Sequence, residues 1–385
     1  MAERPKKYVE AIDLVRALTI VSVIAVHSTW YTANGGGWVA SGALLSLLHF
    51  TRESFMAMTG FVLTWSLFGK RLDWPTVWAK RYRLVLFPYL IWSFLYLWLF
   101  KPQPTFLGFW ATYGRDLLNG GAWFHLYYLL ITMQFYLVLP LFLFLMRWGQ
   151  KRPWTVFWGT AAFQVLLMAY DQYGLSAHPG GLNAYTGDEV WSYALYFVMG
   201  GLAALHWPHI REWLAAHGRL VGWIVVSGAG IMLSGFGLQW QLTHNLTLAD
   251  AVLQPAMVPW SVAIIVGLGW LGVQYEEARI RRPGRWPLVA LIADLSFGIY
   301  LFHPMLLQWW TNGLNAVHGF VTGYPLDALT VVVVTAGATL TVRVLSWFPF
   351  SPWVIGRSAA PRPSWLRWRR PLSPSDEREV PAESR

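Results

Sequence analysis

Cysteine is absent from the 385-residue chain, which excludes disulfides, thiolate metal sites and any covalent intermediate on a cysteine sulfur, and leaves the compartment open. Charge is scarce as well: 12% of the residues are Asp, Glu, Lys or Arg, against about 25% in an ordinary soluble domain. Also missing are a Gly-Asp-Ser hydrolase block, a Walker phosphate loop, a dinucleotide fingerprint, an internal repeat and an appended soluble domain. What remains is apolar. The chain is 56% hydrophobic and 17% aromatic, with 26 Trp, so the solvent for most of it is lipid.

Apolar stretches of about 17 to 25 residues, the length that crosses a bilayer, fall near 11–32, 44–68, 84–100, 123–146, 154–173, 190–206, 220–237, 251–274, 288–311 and 326–348. They predict an all-α, polytopic membrane helix bundle of about ten transmembrane helices over residues 1–348. A basic, Pro-rich segment follows at 349–385, its Trp/Arg part suited to an anionic inner leaflet and its end expected to be disordered. No small-residue cleavage site follows the first apolar run, so that span is expected to stay attached.

The net charge of +10 is distributed between the spans, without a basic domain or base-stacking motif, so nucleic acid is not an expected partner. Lys and Arg gather on the cytoplasmic side of short loops. With a cytoplasmic N-terminus, 24 of the 29 cations fall inside, only Lys101 and Arg115 fall outside, and Arg16, Arg52 and Arg343 lie within spans. That asymmetry predicts both termini in the cytoplasm.

The costly residues within the spans are the functional candidates. In "IDLVRALTIVSVIAVHS" (12–28), Arg16 and His27 are eleven residues apart. On a helix this is three turns plus about 20° and about 16 Å of rise, so both share one face. Asp13 stands three residues before Arg16, placed for a local pair. Two readings stay open: an interfacial pair with a histidine bonded to a neighbour, or a polar path with His27 as the base. Arg52, Glu53, His125 and His303 also fall toward the outer half, where they could surround one cavity, while Asp294 and Arg343 sit near inner ends, where snorkelling explains them. The outer loop 174–189 is a candidate sugar contact, and "NGGG" (34–37) is a turn.

The spacing Arg-x10-His in a first span opening "AIDLVRAL" resembles the membrane acyltransferase 3 family. "SFMAMTGFVLTW" (54–65), "KRYRLVLFPYLIWS" (80–93), "AWFHLYYLLITMQFYLVLPL" (122–141) and "LSFGIYLFHPMLL" (295–307) are similar to further family blocks in the family's order, with Thr59 where Ser is usual. The Pro-Tyr and Gln-Phe-Tyr variants look most like its stand-alone branch, which modifies surface polysaccharides. The resemblance implies an O-acyltransferase in the cell membrane, bacterial inner membrane by analogy. It would move an acyl group, acetyl or succinyl, from cytoplasmic acyl-CoA, chiefly acetyl-CoA, to a hydroxyl of an extracytoplasmic or lipid-linked glycan, with no metal. His27, with Glu53 and His303, would carry the chemistry; Arg16, Lys80, Arg81 and Arg83 would hold the donor; Arg52, His125 and Tyr300 would meet the acceptor. The family's basic motif is Arg-x-x-Arg, matched in spacing by Lys80 and Arg83, with Arg81 an alternative. A transporter or exporter of glycans or lipid-linked sugars is the competing class.

Overall fold

A computed structural model of the protein describes residues 8–32, 39–175, 187–318, 323–357 and 360. "NGGG" (34–37), most of the loop 174–189 and most of the C-terminal segment lie outside the described residues. The described chain is built of helices: α1 (Ala11–Thr32), α2 (Val39–Leu48), α3 (Thr51–Leu67), α4 (Trp74–Phe100), α5 (Phe106–Asn119), α6 (Tyr127–Lys151), α7 (Pro153–Ala169), α8 (Ala194–Leu205), α9 (Trp207–Ala216), α10 (Gly218–Thr243), α11 (Leu246–Ala249), α12 (Met257–Arg281), α13 (Pro287–His318), α14 (Tyr324–Leu345) and α15 (Ser351–Val354). Among the described residues, seven helices (α1, α4, α6, α10, α12, α13 and α14) are long and apolar enough to cross a membrane. α3 and α7 have 17 residues each, and α8 continues a short 3-10 turn, Val190–Tyr193.

The helices depart from the expected spans in identifiable places. The stretch 44–68 is broken at His49 and Phe50 into α2 and α3. The fourth span begins at Tyr127 rather than 123, leaving His125 in the turn before it. α5 and α9 fill loops that carry no long apolar run. α5 is bounded by ordinary local chemistry: the Thr105 hydroxyl accepts from the Gly108 N–H at 3.0 Å, and Gly120 closes the helix at φ 71°.

α1 lies at the centre and is tied at both ends. At one end the carboxylate of Asp327, at the start of α14, accepts from the Thr29 hydroxyl at 2.7 Å and the Thr32 hydroxyl at 3.3 Å. At the other, Arg279 of α12 meets Glu10 at 3.4 Å and Asp13 at 3.8 Å, and the Tyr8 hydroxyl also donates to Asp13. The expected pair of Asp13 with Arg16 is therefore not formed. A neighbouring helix supplies the cation for Asp13, and Arg16 turns elsewhere.

Close packing between α3 and α8 depends on glycine. A methyl built on Gly60 would stand 2.1 Å from the Phe197 carbonyl oxygen, and one on Gly200 would stand 1.8 Å from that of Ala57. Association in lipid has no hydrophobic drive, so small residues that let backbones touch carry it. The outward faces are apolar and aromatic instead, with Trp98, Trp154, Trp158 and Trp223 all more than 60% exposed.

Internal prolines mark where the bundle bends. A proline removes the N–H that the carbonyl four residues earlier would accept, and without water that carbonyl needs another donor. In α6, Pro140 orphans the carbonyl of Tyr136, and the indole N–H of Trp78 from α4 fills the vacancy at 2.7 Å. The supply of Trp and Tyr serves this need elsewhere too: Trp92 donates to the Val354 carbonyl and Trp260 to that of Leu47.

Candidate functional site

α13 carries the same defect at a more consequential position. Pro304 leaves the Tyr300 carbonyl without its ladder partner. The side chain next to the proline answers: Nδ1 of His303 lies 2.8 Å from the Tyr300 carbonyl and 3.1 Å from that of Ile299. A carbonyl only accepts, so Nδ1 is the protonated nitrogen and Nε2 keeps its lone pair. Nε2 is buried with no hydrogen-bond partner among the described residues.

Around it the chain gathers two more imidazoles. The His27 ring from α1 stacks on that of His303, with centroids 5.4 Å apart and planes 24° apart. His125 meets His303 edge-on at 5.8 Å. Phe124 packs against His27 at 4.6 Å. The Tyr300 hydroxyl donates to the His125 carbonyl and its ring lies 5.2 Å from that imidazole. This bond fixes the turn before α6 against α13, which makes Tyr300 a core hydrogen-bonder as its burial suggests. Neither ring nitrogen of His125 makes a hydrogen bond among the described residues. Among the described residues, no group of three His, Cys, Asp or Glu is placed to hold a metal ion.

Toward the other end of α1, a cavity of about 160 Å³ is lined by Arg16, Arg81, Thr59, Tyr136, Phe55, Met58, Val62 and Leu63. Two guanidinium groups from different helices face one small space, and Arg16 forms no ion pair among the described residues. Arg81 reaches the Ser66 hydroxyl at 3.5 Å, at the edge of bonding distance. Lys80 and Arg83, which match the family spacing, are exposed instead. Successive positions on a helix differ by about 100°, so a segment with Arg81 turned inward holds 80 and 83 outward. From the cavity, a line of rings leads to the histidines: Phe55 lies 5.8 Å from Tyr128 and 6.4 Å from Tyr300, whose ring is 5.9 Å from His303.

Glu53 and Arg52 form a neighbouring cluster. Glu53 is 2% exposed and its ion-pair partner is Arg52 at 3.9 Å. Arg52 also donates to the Tyr127 hydroxyl at 3.2 Å and lies 5.7 Å from the centre of the Tyr193 ring. No hydrogen bond joins Glu53 to His27, so an orienting role through direct contact finds no support in these positions. Oε2 of Glu53 and Nη2 of Arg52 are buried and make no hydrogen bond among the described residues, the Arg52 nitrogen meeting Glu53 only as an ion pair. Tyr127, Tyr193 and Phe124 are missed by sequence reasoning, since each meets its partner across helices and nothing in local spacing signals it.

A larger apolar pocket of about 700 Å³ between α1, α3, α7, α8, α9, α10 and α12 holds none of the predicted site residues, and Met58 lines both it and the arginine cavity.

These features define a helical, multi-pass membrane protein with a cation-lined cavity and a buried histidine cluster strung along one central helix. The chain belongs to the acyltransferase-domain family, whose pattern matches residues 9–347. It is similar to Nodulation protein 10 of Rhizobium leguminosarum bv. viciae, 26% identical over 231 residues, which are 55% of this chain and 53% of that protein. The match thus spans about half the length of that relative. No solved structure matches the chain.

Proposed function

We propose that the protein is a membrane O-acyltransferase that takes an acetyl or succinyl group from cytoplasmic acyl-CoA and places it on a hydroxyl of an extracytoplasmic or lipid-linked glycan. In this reading about ten helices cross the membrane, both termini are cytoplasmic, and the membrane is the bacterial inner one. The observation that carries it is that a cavity lined by two arginines and a stack of histidines lie at different depths along α1. Arg16 and Arg81 share a cavity toward the end of α1 that holds Glu10 and Asp13, while His27 stacks on His303 about 16 Å further along.

Two half-buried guanidiniums fit the phosphates of a coenzyme A thioester, because they offer forked donors and stay charged. His27 serves as base for the acceptor hydroxyl, and the Nε2 lone pair of His303 is a second proton acceptor beside it. The hydroxyl oxygen bonds to the acyl carbon, the carbon–sulfur bond breaks, and the hydroxyl proton passes to His27 and then to the departing thiolate. Arg52 and the turn bearing His125 border the acceptor.

The test uses inside-out membrane vesicles containing the protein and given acetyl-CoA labelled in the acetyl group. Label is expected in the saccharide-bearing fraction, and His27→Ala is expected to remove it. Labelling at the parental rate by His27→Ala would refute the base, and failure of the purified protein to bind coenzyme A would favour an exporter.

A further inference from the structure

We propose that Tyr96 is a positioning residue for His303, acting through its hydroxyl wedged into the main-chain ladder of α13 beside Pro304. The inference rests on the reading that His303 takes part in acyl transfer.

Side chains enter two consecutive rungs of α13 at this point. The first is the one that Pro304 removes, and the Nδ1–H of His303 fills it. The second has no proline to explain it. Leu301 and Met305 are four apart and would ordinarily bond directly. Here the Met305 N–H donates to the Tyr96 hydroxyl at 3.1 Å, and that hydroxyl donates to the Leu301 carbonyl at 2.8 Å. A hydroxyl is both donor and acceptor, so it enters the rung without orphaning either group. A side chain inserted in this way is a recognised cause of a sharp helix bend.

The wedge is held from behind. Tyr96 is fully buried, its ring stacked on Trp123 at 5.3 Å and set edge-on to His125 at 5.1 Å. Its oxygen therefore has a fixed depth, and with it the opening of α13 on that face. His303 is held at the adjacent rung through the Tyr300 carbonyl and stacks on the ring of His27, so the opening sets where its Nε2 points. Pro304 makes a bend necessary; Tyr96 sets its extent.

Removing the hydroxyl leaves no buried group stranded, because the Met305 N–H can then close directly on the Leu301 carbonyl. Tyr96→Phe should accordingly fold and bind donor while α13 straightens and the His303 ring turns. Pro304→Ala attacks the same geometry from the other rung, by supplying an N–H that competes with His303 for the Tyr300 carbonyl.

The experiment uses the full chain in lipid nanodiscs with ¹⁵N-histidine, the His303 signals being identified by their loss in His303→Asn. For Tyr96→Phe the expected result is a kcat lower by about ten- to a hundredfold, a range set by what a well-placed proton acceptor contributes. The KM for acetyl-CoA should stay within about twofold, as for loss of an interaction made only in the transition state. The His303 ¹⁵N signals should move away from the Nδ1–H form, and Pro304→Ala should move them likewise. Unchanged kcat and unchanged signals in Tyr96→Phe, while His303→Asn is inactive, would overturn the positioning role. Parental activity in His303→Asn would instead overturn the transfer reading of that histidine, whatever Tyr96→Phe does to its signals.

Discussion

The two arginines of the sequence KRYR, Arg81 and Arg83, give the sharpest test of the donor site, because the family spacing points to Lys80 and Arg83 and the fold points to Arg81. Arg81 is half-buried on the cavity that Arg16 also lines, whereas Arg83 is exposed. A hydrogen bond to a charged group contributes about 1.5–3 kcal/mol, and partial exposure discounts the Arg81 contact to the lower end of that range. Arg81→Ala should therefore weaken coenzyme A binding by about 10- to 30-fold. Arg83→Ala removes a solvated charge whose field salt screens within about 10 Å at 0.1 M, and should cost about threefold or less. Calorimetry on nanodisc-embedded protein, at two salt concentrations, separates the cases, since the Arg83 effect should vanish in high salt and the Arg81 effect should persist. Equal losses in the two variants, or a larger loss for Arg83→Ala, would refute the assignment of the donor cavity.

At the α3–α8 contact, Gly200→Ala drives a methyl into the Ala57 carbonyl and should destabilise by about 1–3 kcal/mol through overpacking, read as a lower melting temperature. Gly222→Ala, where an added methyl meets nothing within 4 Å, should leave stability unchanged or raise it slightly. Trp78→Phe strands the Tyr136 carbonyl and should cost about 1–3 kcal/mol; adding Pro140→Ala restores an N–H to that carbonyl, so the double variant should lose less than the sum of the two. His303→Asn keeps a polar side chain of similar reach but no basic nitrogen, and should lower kcat by about 100-fold or more while coenzyme A affinity stays near parental. Asp327→Ala removes the shared acceptor of Thr29 and Thr32 and should lower the melting temperature without changing that affinity.

The fold was legible wherever lipid dictated it. Each expected span contains a helix, because a bilayer permits few alternatives to long apolar helices. The errors sit where that constraint lapses. α5 and α9 are short and amphipathic, so no long hydrophobic run announces them. The break between α2 and α3 falls at His49 and Phe50, beside the polar run Thr51 to Ser54, and a hydropathy average over 44–68 passes over it. The histidines were legible for a related reason: polar groups in apolar runs are conspicuous, and His27, His125 and His303 do converge. Their partners were not. Tyr96, Phe124 and Tyr127 are ordinary aromatic residues in an aromatic-rich chain, and only the crossing of helices gives them a role. The pairing of Asp13 failed in the same way, because local spacing offered Arg16 and tertiary packing offered Arg279.

Proline supplies the link between what lipid imposes and what the site requires. Deleting a backbone N–H in the middle of a span creates an acceptor that a side-chain donor can satisfy. At Pro140 the donor is the indole of Trp78, which has no basic nitrogen, and the result is a fixed tie between α4 and α6. At Pro304 the donor is an imidazole, which has two nitrogens, so satisfying the orphaned Tyr300 carbonyl with one fixes the tautomer and leaves the other as an acceptor. A histidine that caps a proline bend and a histidine that accepts a proton are thus one arrangement. In the proposed reading the structural bond is the condition for the chemical role, which predicts that a donor-only side chain at 303 would keep the Tyr300 carbonyl satisfied while abolishing transfer.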